Sequence, residues 1–205
     1  CVSPAWLDVA TDGGQQSGHD YEPDFSTAFA RECNILVGEG ATKWNALHPT
    51  EDRWDFTQAD LLLKFADEHA MKMRGHTLVW HASFPDWAKS ALIEGRGEAL
   101  LETYIQTVMG HFKGRFLSWD VVNEAIEPKD GRADGLRNTL WLQKFGPEYI
   151  DLAFVLAREA DPHARLVSHD YPLHSGPPPN DPRPQATRNV LAGLVARGLR
   201  SGPLG

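Results

Sequence analysis

The sequence predicts an α/β fold with helices packed against a parallel sheet, and an incomplete (β/α)8 TIM barrel is the favoured form of that fold. Short apolar runs alternate five times with longer amphipathic segments, a pattern typical of parallel sheets. Polar and aromatic residues cluster directly after the apolar runs, where a barrel builds its active site. A complete barrel takes about 250 residues, and this chain has 205, so about five βα repeats are expected.

A doubly wound open sheet is the other arrangement that alternating strands and helices can form. Such a sheet usually carries a glycine-rich phosphate-binding turn with the spacing G-x-G-x-x-G after its first strand. The first predicted strand is followed here by Asp12, Gly13 and Gly14, which lack that spacing. We therefore prefer the barrel and assign residues 1–205 to one domain.

The first two repeats are predicted from residues 6–69. Residues 6–10 form an apolar run, and residues 24–32 are predicted to be helical because Phe25 and Phe29 lie four positions apart. Residues 34–38 form the next apolar run. Residues 55–69 are predicted to form a helix, since Leu62, Phe65 and Ala66 share one face of it.

The remaining three repeats follow the same pattern. Strands are predicted over residues 72–80, 116–122 and 165–169, which are apolar runs. Helices are predicted over residues 98–112, 146–159 and 185–197. The first of these carries an apolar stripe of Leu101, Ile105 and Val108, and the second is anchored by Ile150 and Phe154.

The tail of the chain is expected to depart from this regular pattern from residue 173 to residue 205. Residues 176–184 contain five prolines. Proline has a fixed φ angle and no backbone N–H group, so this stretch is predicted to be neither helix nor central strand. An exposed, extended loop is the expected structure.

Charge and hydropathy exclude several classes of partner. The chain has 20 Lys and Arg residues against 28 Asp and Glu residues, a net charge of −8. That balance provides no basic surface for nucleic acid or for anionic lipid. The sequence also lacks the run of about 18 apolar residues that a membrane span requires. A neutral polysaccharide remains compatible with this composition.

Neither the cysteines nor the histidines predict a metal site or a cofactor. Cys1 and Cys33 could form one disulfide, but a free, buried Cys33 is the stronger expectation, because unpaired cysteines are usually buried. His, Cys and Asp residues show none of the short spacings typical of zinc sites.

Candidate site residues stand after four of the five predicted strands, at the end of each strand where a barrel carries out its chemistry. They are Glu39, Lys43 and Trp44 after residues 34–38, His76, Trp80 and His81 around residue 80, Asn123 and Glu124 after residue 122, and His169, Asp170 and Tyr171 after residue 168.

Glu124 is the strongest candidate for a catalytic group. It follows an apolar strand and stands next to Asn123, whose amide can both donate and accept hydrogen bonds to a sugar. Partial burial among aromatic residues favours the protonated form of a carboxyl, which a general acid needs in order to protonate a glycosidic oxygen. A solvated glutamate at a strand end is the alternative.

Two sequence motifs resemble glycoside hydrolase family ten, the endo-1,4-β-xylanases. Residues 74–81 read Arg-Gly-His-Thr-Leu-Val-Trp-His, and residues 119–125 read Trp-Asp-Val-Val-Asn-Glu-Ala. The likeness covers about the N-terminal five-eighths of that catalytic domain. It implies a (β/α)8 barrel that hydrolyses internal 1,4-β-D-xylosidic linkages with retention. A different retaining barrel glycosidase could share the Asn-Glu pair, but the longer motif at residues 74–81 argues against it.

The resemblance implies a role for each residue at the strand ends. Glu124 would be the acid/base, and Asn123 would hold the 2-hydroxyl of the sugar at the cleavage site. His76 and Trp80 would line that same subsite. Two further residues, Glu39 and Lys43, would bind the next xylose, and Tyr171 would lie near the cleavage point. The implied partners are xylan or xylo-oligosaccharides, and the implied location is secreted or periplasmic.

The chain departs from the family pattern at several points. Gly40 and His169 each replace an asparagine, and Pro172 follows Tyr171 in place of another. The nucleophile of the family is a glutamate at the end of the seventh strand, and we expect it to be missing from this chain. A catalytically inactive truncated barrel, with at most weak xylan binding, is therefore the alternative function.

Overall fold

A computed structural model describes residues 23–170 and 180–199, with side chains from residue 26 onward. One parallel sheet forms its centre, with the strands in sequential order: β1 (Ile35–Val37), β2 (Lys72–Val79), β3 (Phe116–Asn123) and β4 (Arg165–His169). Sequential parallel strands, each followed by a helix, are the arrangement of a (β/α)8 barrel. These four strands match predicted segments, and the predicted strand at residues 6–10 lies outside the described residues.

The helices of the described residues pack around this sheet. They are α1 (Pro23–Glu32), α2 (Trp44–Leu47), α3 (Thr57–Glu68), α4 (Asp86–Ile93), α5 (Gly97–His111), α6 (Leu140–Phe145), α7 (Glu148–Ala160) and α8 (Arg183–Ala196). A 3-10 turn spans Pro128–Asp130. The sequence does not predict α2, α4 and α6, because elements of four to eight residues are too short to show a helical period. None of the described helices could cross a membrane.

Helix α8 begins earlier than expected. Arg183 and Pro184 belong to its first turn, so the prediction of a loop through residue 184 is wrong at these two positions. Proline fits there because the N–H groups of a first turn have no partner within the helix. Residues 180–182 are neither helix nor strand, as predicted, and residues 176–179 of the predicted loop lie outside the described residues.

Aromatic side chains fill the core beneath the loops that follow β1 and β2. The Trp44 ring stacks on Tyr104 of α5, with ring centroids 3.6 Å apart. Phe84 packs edge-on against Trp44, and Trp141 of α6 contacts both of them. All four are buried. This cluster anchors the short helices α2 and α6 to the rest of the fold.

Cys33 is half-buried and forms a disulfide. The expectation of a free, buried thiol is therefore wrong. The sequence permitted both states, because two cysteines far apart in the chain do not show whether their thiols meet in the fold.

Gly75 allows β2 to lie against the Trp119 ring of β3. A Cβ atom at Gly75 would lie 2.1 Å from the Trp119 ring, so any side chain there would force the two strands apart. Gly110, in contrast, lies near the end of α5 with nothing within 4 Å of the place where its Cβ would be.

This contrast predicts opposite effects for two Gly→Ala substitutions. Gly75→Ala should lower the free energy of unfolding by about 1–3 kcal/mol or more through overpacking. Gly110→Ala should raise it by about 0.5–1 kcal/mol, because alanine is the better helix former. Urea unfolding followed by circular dichroism measures both changes. A Gly75→Ala variant as stable as the parent would contradict the close packing of β2 on Trp119.

Candidate active site

The carboxyl ends of β2, β3 and β4 bring the predicted residues to one edge of the sheet. Trp80 follows β2, and its indole Nε1 donates a hydrogen bond to Glu124 Oε2 at 2.9 Å. The ring of His76 lies 6.3 Å from that of Trp80 and 5.5 Å from that of His169, centroid to centroid. Parallel strands in sequential order explain this meeting of residues that are far apart in the chain.

A buried ionic group lies beneath this edge. Asp120 of β3 is 1% exposed, and its carboxylate accepts hydrogen bonds from Arg74 Nε at 3.0 Å and Nη2 at 2.6 Å. Its Oδ2 also lies 2.8 Å from His76 Nδ1. With Nδ1 donating to the carboxylate, this contact fixes the orientation of the His76 ring.

Backbone contacts to two threonines fix β2 further. The Thr42 hydroxyl donates to the carbonyl of His76 at 2.7 Å, and the Thr77 hydroxyl donates to the carbonyl of Asp120 at 2.8 Å. The ring of His76 is thus held both through its backbone and through its Nδ1 atom. A side chain restrained in this way loses little freedom when a ligand binds.

Glu124 presents a half-buried carboxylate between Trp80 and His81. Its side chain is 16% exposed, and His81 Nε2 lies 4.0 Å from Oε2. The backbone of Glu124 is left-handed, with φ at 55°, which residues with a Cβ adopt rarely and which occurs often at functional sites. This turn follows Asn123, the last residue of β3.

Asn123 is buried and connects β3 to His169 of β4. Its amide satisfies its neighbours when Nδ2 donates to His169 Nδ1 at 2.7 Å and Oδ1 accepts from Trp80 Nε1 at 3.2 Å. The Trp80 indole N–H is then shared between Asn123 and Glu124. Two donor groups and three acceptor atoms are thereby linked across the ends of β2, β3 and β4.

Of the remaining predicted residues, Trp44 lies in the buried aromatic cluster, and Asp170 accepts a hydrogen bond from the N–H of Ile126 at 2.9 Å. The Lys43 ammonium is 4.8 Å from the centroid of the Trp80 ring, within cation–π range. Glu39 follows β1 and is exposed. Tyr171 lies outside the described residues.

Three of these side chains are of metal-ligand type. His76, Asp120 and His169 have candidate ligand atoms within 4.8 Å of one another. Asp120, however, is already occupied by Arg74, whose positive charge opposes a cation beside that carboxylate. The group therefore fits a hydrogen-bond network better than a metal centre, and a site without metal stays a prediction.

Arg74, Asp120 and Arg137 are contacts of the site that the sequence analysis does not single out. The available signal was a pair of opposite charges inside neighbouring predicted strands, Arg74 in β2 and Asp120 in β3, since buried charges need partners. Arg137 gives no such signal. Its Nε donates a hydrogen bond to the carbonyl of Glu124 at 2.8 Å, although the two residues are 13 positions apart in the sequence.

Burial governs the ionisation of His81. Desolvation lowers the pKa of His81 from its ordinary value of 6.5, and the positive charge of Arg137 lowers it further. The carboxylates of Glu124 and Asp130 oppose this shift. His81 is therefore neutral beside Glu124 at neutral pH.

Residues 7–201 match the model of glycosyl hydrolase family 10. Endo-1,4-beta-xylanase A of Thermoanaerobacterium saccharolyticum is 39% identical over 187 residues, which is 83% of this chain and 15% of that protein. The crystal structure of xylanase 10B from Thermotoga petrophila RKU-1 in complex with xylobiose is 37% identical with a TM-score of 0.76. It covers 89% of this chain, which spans 54% of that structure.

A second solved structure, TsXylA, is described as an intracellular xylanase from Thermoanaerobacterium saccharolyticum. It is 36% identical with a TM-score of 0.76 and covers 87% of this chain, which spans 57% of it. The chain thus spans little more than half the length of these solved xylanases. The matches confirm the predicted (β/α)8 barrel, of which this chain contains a part.

The lowered pKa of His81 predicts a pH dependence. Between the folded pKa and 6.5 the unfolded chain binds more protons at this site, so the free energy of unfolding should decrease as the pH falls through that range. NMR titration of the His81 imidazole should give a midpoint below 6.5. His81→Gln should remove this part of the pH dependence, and a midpoint at or above 6.5 would contradict burial as the dominant effect.

Proposed function

The chain belongs to glycosyl hydrolase family 10, and on that premise we propose that it carries the acid/base half of the active site of a retaining endo-1,4-β-xylanase. The observation that carries the proposal is the carboxylate of Glu124. It lies at the end of β3, accepts a hydrogen bond from Trp80 and is 16% exposed. That position suits a carboxyl which must hold a proton and then release it to a sugar oxygen.

The proposed reaction proceeds in two steps. Glu124 donates its proton to the glycosidic oxygen while a second carboxylate, about 5–5.5 Å away, attacks the anomeric carbon and forms a covalent glycosyl-enzyme. Glu124, now a carboxylate, then takes a proton from a water molecule, which attacks the same carbon and releases the second carboxylate. Two inversions at that carbon give overall retention.

The nucleophile is proposed to lie outside these 205 residues. The family resemblance assigns it to the end of the seventh strand, and the described residues form four strands. The chain also spans only 54% and 57% of the two solved xylanases. The whole protein would then supply the second carboxylate.

The substrate is proposed to be xylan or a xylo-oligosaccharide. Asn123 and His76 would bind hydroxyls of the sugar at the cleavage site, and the flat face of Trp80 would pack against its ring. Two further side chains, Lys43 and Glu39, would hold the next xylose. Support comes from the position of Lys43 beside the Trp80 ring and from the xylobiose complex of the Thermotoga petrophila relative.

The site as a whole would work without a metal or cofactor, because two carboxylates and sugar-binding side chains suffice for glycoside hydrolysis. Tyr171 is retained in the proposal as a residue near the cleavage point.

A catalytically inactive truncated barrel that binds xylan weakly is the second candidate. An open set of strands leaves unpaired edges, which lowers stability and promotes aggregation. The two candidates share the sugar-binding residues and differ only in whether turnover follows.

We also propose a secreted or periplasmic location. A polymer of xylose cannot enter a cell, so its hydrolysis takes place outside, and the disulfide at Cys33 is typical of oxidising compartments. An intracellular location, as described for TsXylA, would instead suit an enzyme that acts on imported xylo-oligosaccharides.

The proposed role of Glu124 predicts the effect of Glu124→Gln in the full-length protein. The amide has nearly the shape of the carboxyl but cannot act as an acid, so reducing-sugar release from xylan should fall by about 10²–10⁴-fold. Binding of xylo-oligosaccharides should change little. Calorimetry and a reducing-sugar assay measure the two quantities.

Glu102→Gln is the matched control, because Glu102 is exposed on α5, away from the strand ends. Activity of Glu124→Gln equal to that of this control would exclude Glu124 as the acid/base. Release of sugar by the 205-residue chain alone would contradict the proposal that the nucleophile lies outside it.

A further inference from the structure

The residues after Glu124 fold back beneath it. We call residues 125–137 the return loop. Ile126 and Leu136 form an antiparallel bridge, and the N–H of Glu127 donates to the carbonyl of Gly135 at 3.0 Å. The N–H of Arg137 donates to the carbonyl of Ala125 at 2.7 Å. These bonds bring the Arg137 side chain back to the backbone of Glu124.

Glu124 is held on both sides of its α-carbon. Its N–H donates to the carbonyl of His169 in β4 at 2.8 Å. Its carbonyl accepts from Arg137 Nε at 2.8 Å. One side of the residue is thus tied to the sheet and the other to the return loop.

The backbone of Glu124 needs this support because it is left-handed, with φ at 55°. A residue with a Cβ reaches this region only against steric repulsion, and surrounding contacts must hold it there. If the carbonyl were released, the peptide could rotate towards an ordinary conformation. The carboxylate would then move away from Trp80, which it contacts at 2.9 Å.

The guanidinium of Arg137 is itself fixed in place. Its side chain is 16% exposed, and its Nη2 lies 3.6 Å from Glu127 Oε2. The other oxygen of Glu127 lies 3.2 Å from Arg183 Nη2 at the start of α8. A planar guanidinium restrained in this way directs its Nε–H along one line, which a flexible ammonium does not.

The charge of Arg137 acts on the site as well. Burial is the main cause that lowers the pKa of His81, and Arg137 adds to it; His81 lies 4.0 Å from the carboxylate of Glu124. Arg137 therefore touches the site both through the backbone of Glu124 and through the electrostatics of His81.

From this geometry we propose that Arg137 is a positioning residue, which holds the carbonyl of Glu124 so that the left-handed backbone aims the carboxyl at the scissile bond. The inference rests on the proposed function, since it assigns to Arg137 the orientation of the acid/base Glu124. It requires no contact between Arg137 and the substrate.

The choice of leaving group separates this role from general support of the fold. Cleavage of xylan releases a sugar hydroxyl, which needs a proton from Glu124. Cleavage of 2,4-dinitrophenyl β-xylobioside releases a phenolate stable enough to leave without one. A misdirected acid should therefore slow the first reaction and spare the second.

The experiment compares Arg137→Met with Arg132→Met in the full-length protein. Arg132 is the matched control, because it lies on the same loop but pairs with Asp134 at the surface. Arg137→Met should lower kcat on xylan by about tenfold or more, with KM nearly unchanged. Its kcat/KM on the dinitrophenyl substrate, which reports the first step, should stay within about twofold of the parent. Arg132→Met should match the parent on both substrates.

Equal losses on the two substrates, or no loss on either, would overturn the proposal. Arg137→Lys covers the case in which Arg137→Met does not fold, because it keeps a positive charge beside Glu127 but not the fixed Nε–H donor. It should show the same selective loss to a smaller degree.

A crystal structure of Arg137→Met tests the positioning role without relying on an activity measurement. In it, φ of Glu124 should leave the left-handed region and the bond from Trp80 should break. An unchanged Glu124 would overturn the inference whatever the kinetics. Failure of the parent protein to cleave either substrate would instead remove the proposed function, and the structure of the variant would still decide the conformational claim.

Discussion

The rest of the site depends on the contacts that Arg74 and His76 make with the buried carboxylate of Asp120. A carboxylate with 1% exposure would be strongly destabilising without partners, and Arg74 and His76 supply them. Because Arg74 and His76 belong to β2 and Asp120 to β3, the same contacts tie the two strands together.

The chemistry proposed for the site follows from how β3 ends. Asn123 continues the strand and is buried, whereas Glu124 turns into a left-handed conformation and leaves the sheet. β4 holds one side of that turn through His169, and the return loop holds the other through Arg137. A carboxyl used for proton transfer benefits from such restraint, because small displacements from the scissile oxygen reduce the rate steeply.

The sequence was sufficient to predict the four described strands and most of the residues that meet at their ends, because apolar runs and barrel topology together determine where polar side chains gather. It could not predict contacts between distant positions, such as Arg137 with Glu124, or the positive φ of Glu124. These depend on tertiary packing. The expectations of a free thiol at Cys33 and of a loop through residue 184 were wrong for related reasons. The disulfide and the start of α8 at Arg183 each depend on neighbours that composition and period do not reveal.

The central claim is that Glu124 is the acid/base of a retaining glycosidase. The most direct measurement is the product that full-length Glu124→Ala forms from 2,4-dinitrophenyl β-xylobioside with added azide. Alanine leaves space for azide to attack the glycosyl-enzyme without base catalysis, so the account predicts faster turnover and a β-xylobiosyl azide product, identified by NMR. An α-azide would identify Glu124 as the nucleophile. Parent-like hydrolysis of xylan without azide would contradict any catalytic role for it.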